Sequence, residues 1–329
     1  MICLGIESTA HTFGVGIVDS KGKVLANVRS MYTSEKEGIH PNKAQEHHQK
    51  IKDELVYEAL NSAGLTLKDV DLISFSQGPG LPPCLVVGMK KAKELSKGNK
   101  IPLVGVNHCV AHLSIGETLK GCKDPVLLYA SGANTQVIAY ECGKYRIFGE
   151  TLDMGVGNFI DGFARYMGKG FPGGPKVYEL SLKGSGFIEL PYSVKGMDVS
   201  FGGIFTNLKQ KFDKGAKAED LCYSLQETVF AMLLEVSERA LAHCEKKQLL
   251  LGGGVACNKR FQEMAKKMCK EGGYKCFIPD NSLLVDNAAM IAWQGILEKK
   301  KASLKLSSID IKPYWRTDDV LVSWKKTEA

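Results

Sequence analysis

Hydrophobic and polar residues alternate with two different periods along the first third of the chain. ICLGIEST (2–9) is an apolar run that ends in small polar residues. GVGIVD (14–19) and VLANVRSMY (24–32) follow, set off by Asp, Ser, Gly and Lys, which predicts a meander of strands. The period then lengthens. In NKAQEHHQKIKDELVYEALNSAG (42–64), Ile51, Leu55, Val56 and Leu60 fall on one helical face, and Gly64 follows as a stop signal. DLISFSQGPG (71–80) reads as a buried strand ending in a glycine loop. LVVGMKKAKELSKG (85–98) reads as a helix, IPLVGVN (101–107) as a strand and HCVAHLSIGETL (108–119) as a helix.

The series then starts again. PVLLYASGANTQVIAYECGKYRIFGETL (125–152) is once more strand, small-residue turn, strand, turn, strand. Helical patterns at 218–246 and 259–272 flank the strand QLLLGGGVACN (248–258); KCFIPD (275–280) is a strand and DNAAMIAWQGILEKKK (286–301) a helix. The two meanders begin near Ile2 and Val126, and each carries a tight Ser/Thr-bearing turn (EST, SGANT). This layout predicts two α/β lobes, 1–122 and 123–329, with a nucleotide cleft between them. Residues 152–204 fit neither meander. Their Gly- and Pro-rich stretches (DMGVGNFIDGF, GFPGGPKV) predict a functional insertion over the cleft.

Composition changes this picture little. A length of 329 residues allows one large or two medium domains with a real core. The net charge of +7 is compatible with an anionic partner such as RNA, and many soluble proteins share it. None of the ten cysteines forms a C-x-x-C pair, so neither a zinc ribbon nor a thioredoxin-type dithiol is supported. Cys3, Cys109 and Cys142 lie in apolar runs as small hydrophobes, which fits a reducing cytosol. The N-terminus MICLGIES lacks signal-peptide features, and no apolar run is long enough to span a bilayer.

Several short patterns carry candidate chemistry. SGANT (131–135) is either a plain hairpin or a phosphate clamp of backbone N–H groups and hydroxyls. LLLGGGVACN (249–258) places three glycines between a strand and a helix, which lets a ligand lie on the backbone; Asn258 there either caps the helix or reaches that ligand. It is neither a Walker loop nor a dinucleotide fingerprint. In NHCVAH (107–112), His108 and His112 share one helical face, as a metal pair or as two core histidines. Two imidazoles leave a cation site incomplete without a carboxylate or phenolate from elsewhere. Asp286, before an apolar helix, is equally a ligand and an N-cap candidate; His47 and His48 point different ways and read as structural or solvent-facing.

GIESTAHTFGVGIVD, FSQGPGL, GVNHCVAH, LYASGANTQVIAY, GETLDMGVGN, FPGGPKV, LPYSVKGMDVSF, YSLQET, GGGVACN and DNAAMIAW occur in this order. Together they resemble the universal tRNA threonylcarbamoyladenosine transferase family, in its archaeal and eukaryotic branch, the catalytic subunit of the KEOPS complex. The resemblance covers nearly the whole chain and implies two ribonuclease-H-like lobes of the actin–hexokinase superfamily. It implies transfer of threonylcarbamoyl from threonylcarbamoyl-AMP to the exocyclic amine of the adenosine 3′ of the anticodon in tRNA, in the cytoplasm and without a membrane. It further implies one divalent metal per subunit, iron or zinc, held by His108, His112 and Asp286 with Tyr129 beside it. Tyr129, Ala130, Ser131, Gly132 and Ala133 would contact the donor; Asp161, Gly174, Tyr178 and Asn258 match nucleotide contacts. Glu7 ends the first strand beside the cleft, as a catalytic carboxylate or a structural one. The implied partners are a small kinase-like ATPase subunit, a small dimerising subunit on the N-terminal lobe's helices and an accessory tRNA-binding subunit. EKKKASLK (298–305) either touches tRNA phosphates or is a solvated helix end.

Some positions depart from the family pattern. Ala133, Pro82 and Ala288 stand where glycine is usual, Gly202 where serine is usual, and Tyr178 where many archaeal members have an acidic residue on the ribose. Ala133 adds a methyl beside the ligand, and a positive φ there would be strained. Two other readings are open: an actin-like ATPase or sugar kinase, which leaves the histidine pair unexplained, and a non-catalytic scaffold derived from the transferase.

Overall fold

Strand β1 (Ile2–Glu7) is apolar up to its last residue, Glu7, because neighbours cover both of its faces. In the computed structural model, which describes residues 1–34 and 39–325, it pairs antiparallel with β2 (Thr12–Asp19), and β2 pairs with β3 (Val24–Met31). Helix α1 (Pro41–Ala63) starts on Pro41 and stops at Gly64, whose φ of 65° is the left-handed cap that glycine adopts without penalty. Strand β4 (Leu72–Gly78) lies parallel to β1, and β5 (Leu103–Asn107) parallel to β4, giving the order β3-β2-β1-β4-β5. Between them α2 (Pro82–Asn99) begins three residues before the predicted Leu85. Pro82 and Pro83 occupy its first turn, where a missing N–H costs nothing. Helix α3 (His108–Gly116) follows β5 directly.

The second lobe repeats this plan. β6 (Val126–Ala130), β7 (Thr135–Glu141) and β8 (Lys144–Glu150) form the antiparallel meander. Residues 152–217 carry α4 (Val156–Tyr166), α5 (Gly174–Ser181), the small hairpin β9 (Val194–Lys195) and β10 (Asp198–Val199), and α6 (Gly202–Asp213). The long α7 (Ala218–His243) leads to β11 (Gln248–Gly252), α8 (Lys259–Glu271), β12 (Lys275–Phe277), the single turn α9 (Asn281–Leu284) and α10 (Ala288–Leu297). β11 lies parallel to β6 and β12 parallel to β11, so the order β12-β11-β6-β7-β8 matches the first sheet strand for strand. Cys142 departs from the sequence expectation. It sits exposed on the β7–β8 turn at φ 51°, whereas Cys3 and Cys109 are buried.

The end of the chain returns to the first lobe. Helix α10 lies on β1 and β2, where Gly5 and Gly16 remove the side chains that would hold it off. A Cβ on Gly5 would stand 2.4 Å from the Ala292 nitrogen, and one on Gly16 2.4 Å from the Ala289 nitrogen. Ser74 on β4 locks the same helix by donating to the Ile291 carbonyl at 2.9 Å. Beyond α10, Leu103 and Ser303 exchange both backbone hydrogen bonds at 3.0 Å, and the Lys312 N–H donates to the Gln77 carbonyl at 2.7 Å.

Asp153 ties the start of the 152–217 segment to the beginning of α6. Its carboxylate accepts from Met154 N–H (2.7 Å), Phe201 N–H (3.0 Å), Gly202 N–H (2.7 Å) and the Ser200 hydroxyl (2.8 Å), so it serves the otherwise open N-terminus of α6. Gly202 approaches it closely: a Cβ there would meet the carboxylate at 3.0 Å.

Two outcomes follow. Gly16→Ala wedges α10 off the sheet and costs about 1–3 kcal/mol, read from urea unfolding; an unchanged midpoint would contradict this packing. For Asp153, partial burial opposes the charge, but the N–H groups of Phe201, Gly202 and Met154 outweigh it and hold the carboxyl at about 2, below its ordinary 3.8. A depressed folded value means stability that is present above about pH 3.8 and lost as the pH falls toward about 2. Asp153→Asn therefore destabilises at neutral pH, and its deficit against the parent protein shrinks across that window in pH-dependent unfolding curves.

Candidate metal centre and interlobe cleft

Asn107 ends β5 and caps α3, its side-chain oxygen accepting from Val110 N–H at 3.1 Å. Every residue of α3 is buried, so His108 and His112 project from one face into a closed space, their ring centroids 4.8 Å apart. Asp286 comes from the far end of the chain. The cap of α10 is its neighbour Asn287, which accepts from Met290 N–H at 3.0 Å, and Asp286 is thereby released from the capping role that the sequence left open. Its Oδ1 lies 3.4 Å from Nε2 of His108 and 3.4 Å from Nε2 of His112.

These separations fit a cation better than a hydrogen-bonded cluster. A charge-assisted bond between imidazole and carboxylate closes to about 2.7–2.9 Å. Two ligand atoms about 2.0–2.1 Å from one tetrahedral ion stand about 3.3 Å apart. One donor atom from each of the three residues lies within 4.8 Å of the others, and the buried Nδ1 of His112 has no hydrogen-bond partner. Two nitrogens and one carboxylate oxygen are donors suited to zinc or iron.

Glu7 stands behind His108 and is fully buried. Its Oε2 lies 2.9 Å from Nδ1 of His108, and its Oε1 accepts from Thr9 N–H at 2.7 Å and from the Thr9 hydroxyl. It does not line the cleft; it holds the His108 ring with Nε2 toward Asp286. Burial opposes protonation of His108, but the carboxylates of Glu7 and Asp286 outweigh it and raise the imidazole well above its ordinary 6.5. Burial lowers His112 below that value. Burial also opposes ionisation of Asp286, but the two imidazoles beside it outweigh that and hold the carboxyl well below 3.8. Tyr129 on β6 packs its ring 4.9 Å from that of His112, and burial raises its phenol well above 10.

The three residues lie beside a cavity of about 1570 Å³ between the lobes. One wall is the turn after β6. Ser131 closes it on Asn134, with N–H to carbonyl 2.9 Å, and the N–H groups of Gly132 and Ala133 have no acceptor among the described residues. Ala133 keeps a negative φ, so its methyl brings no backbone strain. Helix α4 closes on this turn through Gly157, where a Cβ would stand 2.7 Å from the Gly132 Cα. Gly253 is needed for two reasons: its φ is 87°, and a Cβ would fall 2.3 Å from the Ala130 carbonyl oxygen.

The remaining expected residues divide. Gly174, Tyr178, Asp161 and Asn258 line the cavity. Asp161 also organises its rim, accepting from Gly173 N–H (2.7 Å) and Gly174 N–H (3.2 Å). Asn258 caps α8 by accepting from Phe261 N–H at 3.2 Å, and its amide nitrogen donates to Gln226. Ala130 is placed differently from the expectation. It is sealed in the core of the second lobe and does not face the cavity, because strand alternation points its side chain inward. Gln226 was missed; it lines the cavity and donates to the Ser181 hydroxyl, and its signal was a lone amide inside the apolar stripe of α7. His47 and His48 are structural: their Nε2 atoms pair with the Ser30 hydroxyl (3.1 Å) and the Ala10 carbonyl (3.1 Å). In the Lys-rich stretch, Lys301 pairs with the buried Glu298, and Lys299 and Lys300 are exposed.

The family model described as TsaD, tRNA N6-adenosine threonylcarbamoyltransferase, matches residues 23–293. The tRNA N6-adenosine threonylcarbamoyltransferase of Thermococcus kodakarensis is 53% identical over 326 residues, covering 98% of this chain and 100% of that protein. A probable bifunctional tRNA threonylcarbamoyladenosine biosynthesis protein of Methanothermobacter thermautotrophicus is 50% identical over 331 residues, covering 100% of this chain and 62% of its own length. Among solved structures, HypF of T. kodakarensis superposes with a TM-score of 0.65 at 16% identity, over 91% of this chain and 48% of that one. That likeness concerns the fold alone: two α/β lobes, each built on a five-stranded mixed sheet, around a central cleft.

His108→Ala and Asp286→Ala are expected to lose the bound divalent ion, measured by elemental analysis of the purified protein. Glu7→Gln is expected to keep the ion but bind it about 10–100-fold more weakly, by chelator competition. Wild-type affinity in Glu7→Gln would remove its orienting role.

Proposed function

The chain belongs to the tRNA N6-adenosine threonylcarbamoyltransferase family, and from that premise we propose the following site chemistry and setting for its threonylcarbamoyl transfer to tRNA. The donor is threonylcarbamoyl-AMP. The acceptor is the exocyclic amine of the adenosine 3′ of the anticodon. The amine nitrogen bonds to the carbamoyl carbon, the bond from that carbon to the phosphate oxygen breaks, AMP leaves, and one proton leaves the nitrogen.

The observation that carries this reading is the convergence of His108, His112 and Asp286 beside a turn with two unused amides. Gly132 and Ala133 N–H groups hold phosphate oxygens of the donor. His108, His112 and Asp286, with Tyr129 beside them, would hold a divalent ion, which would supply positive charge where the leaving phosphate gains negative charge. Tyr178 offers a hydroxyl to the ribose, Gly174 lets the nucleotide lie close, and Asn258 and Gln226 form the floor under it. Glu7 is a positioning residue acting through His108. At about 1570 Å³ the cavity exceeds the range of about 300–1,000 Å³ that one small ligand fills, leaving room for an incoming base. Positioning carries much of the rate because the aromatic amine is a poor nucleophile.

The setting we propose is a KEOPS-type complex in the cytoplasm, with a small kinase-like ATPase, a small dimerising subunit and an accessory tRNA-binding subunit. Helix α1 exposes Tyr57 on the side open to a partner, and no helix among the described residues is long and apolar enough to cross a membrane. The extra length of the bifunctional relatives supports a second activity acting with this one.

Reconstitution tests the reading. Protein, partners, donor and tRNA are expected to yield the modified nucleoside, with loss on chelation and recovery on adding back iron or zinc. Full activity in metal-free His108→Ala would sink the metal assignment. Magnesium-dependent ATP hydrolysis without transfer would favour a kinase-type enzyme, and partner binding without metal or modification would favour a scaffold.

A further inference from the structure

The loop after the last helix presents an aromatic ring that nothing in the fold uses. Tyr314 is 90% exposed, more than any other large apolar side chain among the described residues. Neither its hydroxyl nor its ring has a partner there. Yet its backbone is held on every side. Lys312–Trp315 is a tight turn closed by the Trp315 N–H on the Lys312 carbonyl at 3.1 Å, with Pro313 presetting its φ. Lys312 N–H donates to the Gln77 carbonyl at 2.7 Å, and Gly80 N–H donates to the Pro313 carbonyl at 3.1 Å. Asn107, the residue that caps the His108 helix, donates its side-chain amide to the Trp315 carbonyl at 3.1 Å. A bare ring on a fixed turn has its backbone ordered before anything binds, so only side-chain rotation is left to lose.

The turn lies on the rim of the interlobe cavity, in the same lining as His108 and Asp286. Two cations flank the ring in sequence. Lys312 places its Nζ 4.2 Å from the Trp315 ring centroid, and Arg316 pairs with Asp318 at 3.0 Å and Glu150 at 3.7 Å while remaining half exposed. Tyr314 and the 131–134 turn line the same cavity, and the Tyr314 ring, bare to solvent, is where that lining meets a substrate arriving from outside. An adenine whose amine is to react must leave its RNA stack, and an unstacked base finds its replacement surface on an aromatic side chain.

We propose that Tyr314 is the stacking platform for the acceptor adenine of the RNA as it enters the cleft, with Lys312 and Arg316 beside the flanking phosphates. The proposal rests on the transferase reading and names how that site takes its acceptor.

The test uses the full chain in the reconstituted reaction. Tyr314→Ala raises KM for tRNA about tenfold or more, the range that one lost base–aromatic stack produces, with kcat, the donor KM and bound metal little changed. Tyr314→Phe and Tyr314→Trp restore the tRNA KM, because stacking needs the ring and not the hydroxyl. A second readout needs no turnover: an anticodon stem-loop RNA with 2-aminopurine at the acceptor position is quenched by the wild-type and Tyr314→Phe proteins and not by Tyr314→Ala. An unchanged tRNA KM or unchanged quenching in Tyr314→Ala overturns the proposal. So does a Phe variant as defective as Ala, or a defect confined to the donor KM, which would assign the ring to the donor's adenine. A wild-type protein that forms no modified nucleoside would fail the transferase reading instead, and the quenching still decides whether a base stacks on Tyr314.

Discussion

The close seating of α10 on two glycines of the first sheet is the contact on which the rest of the site depends. With Gly5 and Gly16 lacking side chains, the helix backbone sits where Cβ atoms would otherwise be, 2.4 Å from backbone nitrogens. The start of α10 is thereby held over the ends of β1 and β2, and Asp286, two residues before the helix, is delivered to the histidines of α3. A helix held off by even one methyl on each strand would carry its N-terminal carboxylate with it. Close packing thus becomes ligand geometry, because a densely packed interior transmits displacements rather than absorbing them.

Around that contact the polar groups are arranged in depth. Glu7 holds His108, Thr9 holds Glu7, and Asn107 holds both the first turn of α3 and the loop at 312–317. Buried polar groups are costly when left unpaired, so most of this chain is satisfied link by link. The departures are informative. The 3.4 Å spacings around Asp286 and the unpaired Nδ1 of His112 occur where the donor atoms converge on space suited to an ion. The free N–H groups of Gly132 and Ala133 occur where the wall faces the cleft.

The 152–217 segment illustrates how a loop-rich insertion becomes a wall. Asp153 and Asp161, each a carboxylate bonded to successive backbone N–H groups, fix α6 and the 171–174 loop to the lobe. The glycines of this region are needed at particular contacts, as where Gly157 lets α4 touch the 131–134 turn. The long α7 beneath supplies Gln226, a single amide in an apolar stripe that braces Asn258 and Ser181.

Much of this was legible in order along the chain. Alternation of period 2 and period 3.6 marked the two meanders and the helices, because one-sided burial imposes those periods locally, and Gly64 and the glycine loops marked where elements end. The i, i+4 spacing of His108 and His112 made a shared cation possible, and the ordered motifs pointed to a family. What local pattern could not supply was anything that depends on two distant segments meeting. Asn287, not Asp286, takes the cap of α10 and leaves Asp286 beside the two histidines; Glu7 is buried behind His108; Ala130 is turned into the core by strand alternation in the folded sheet. Cys142 looked apolar by its neighbours and was exposed by a turn. Periodicity is a property of one segment in contact with an average environment, whereas a site is a property of particular atoms from several segments, and only tertiary packing brings those together.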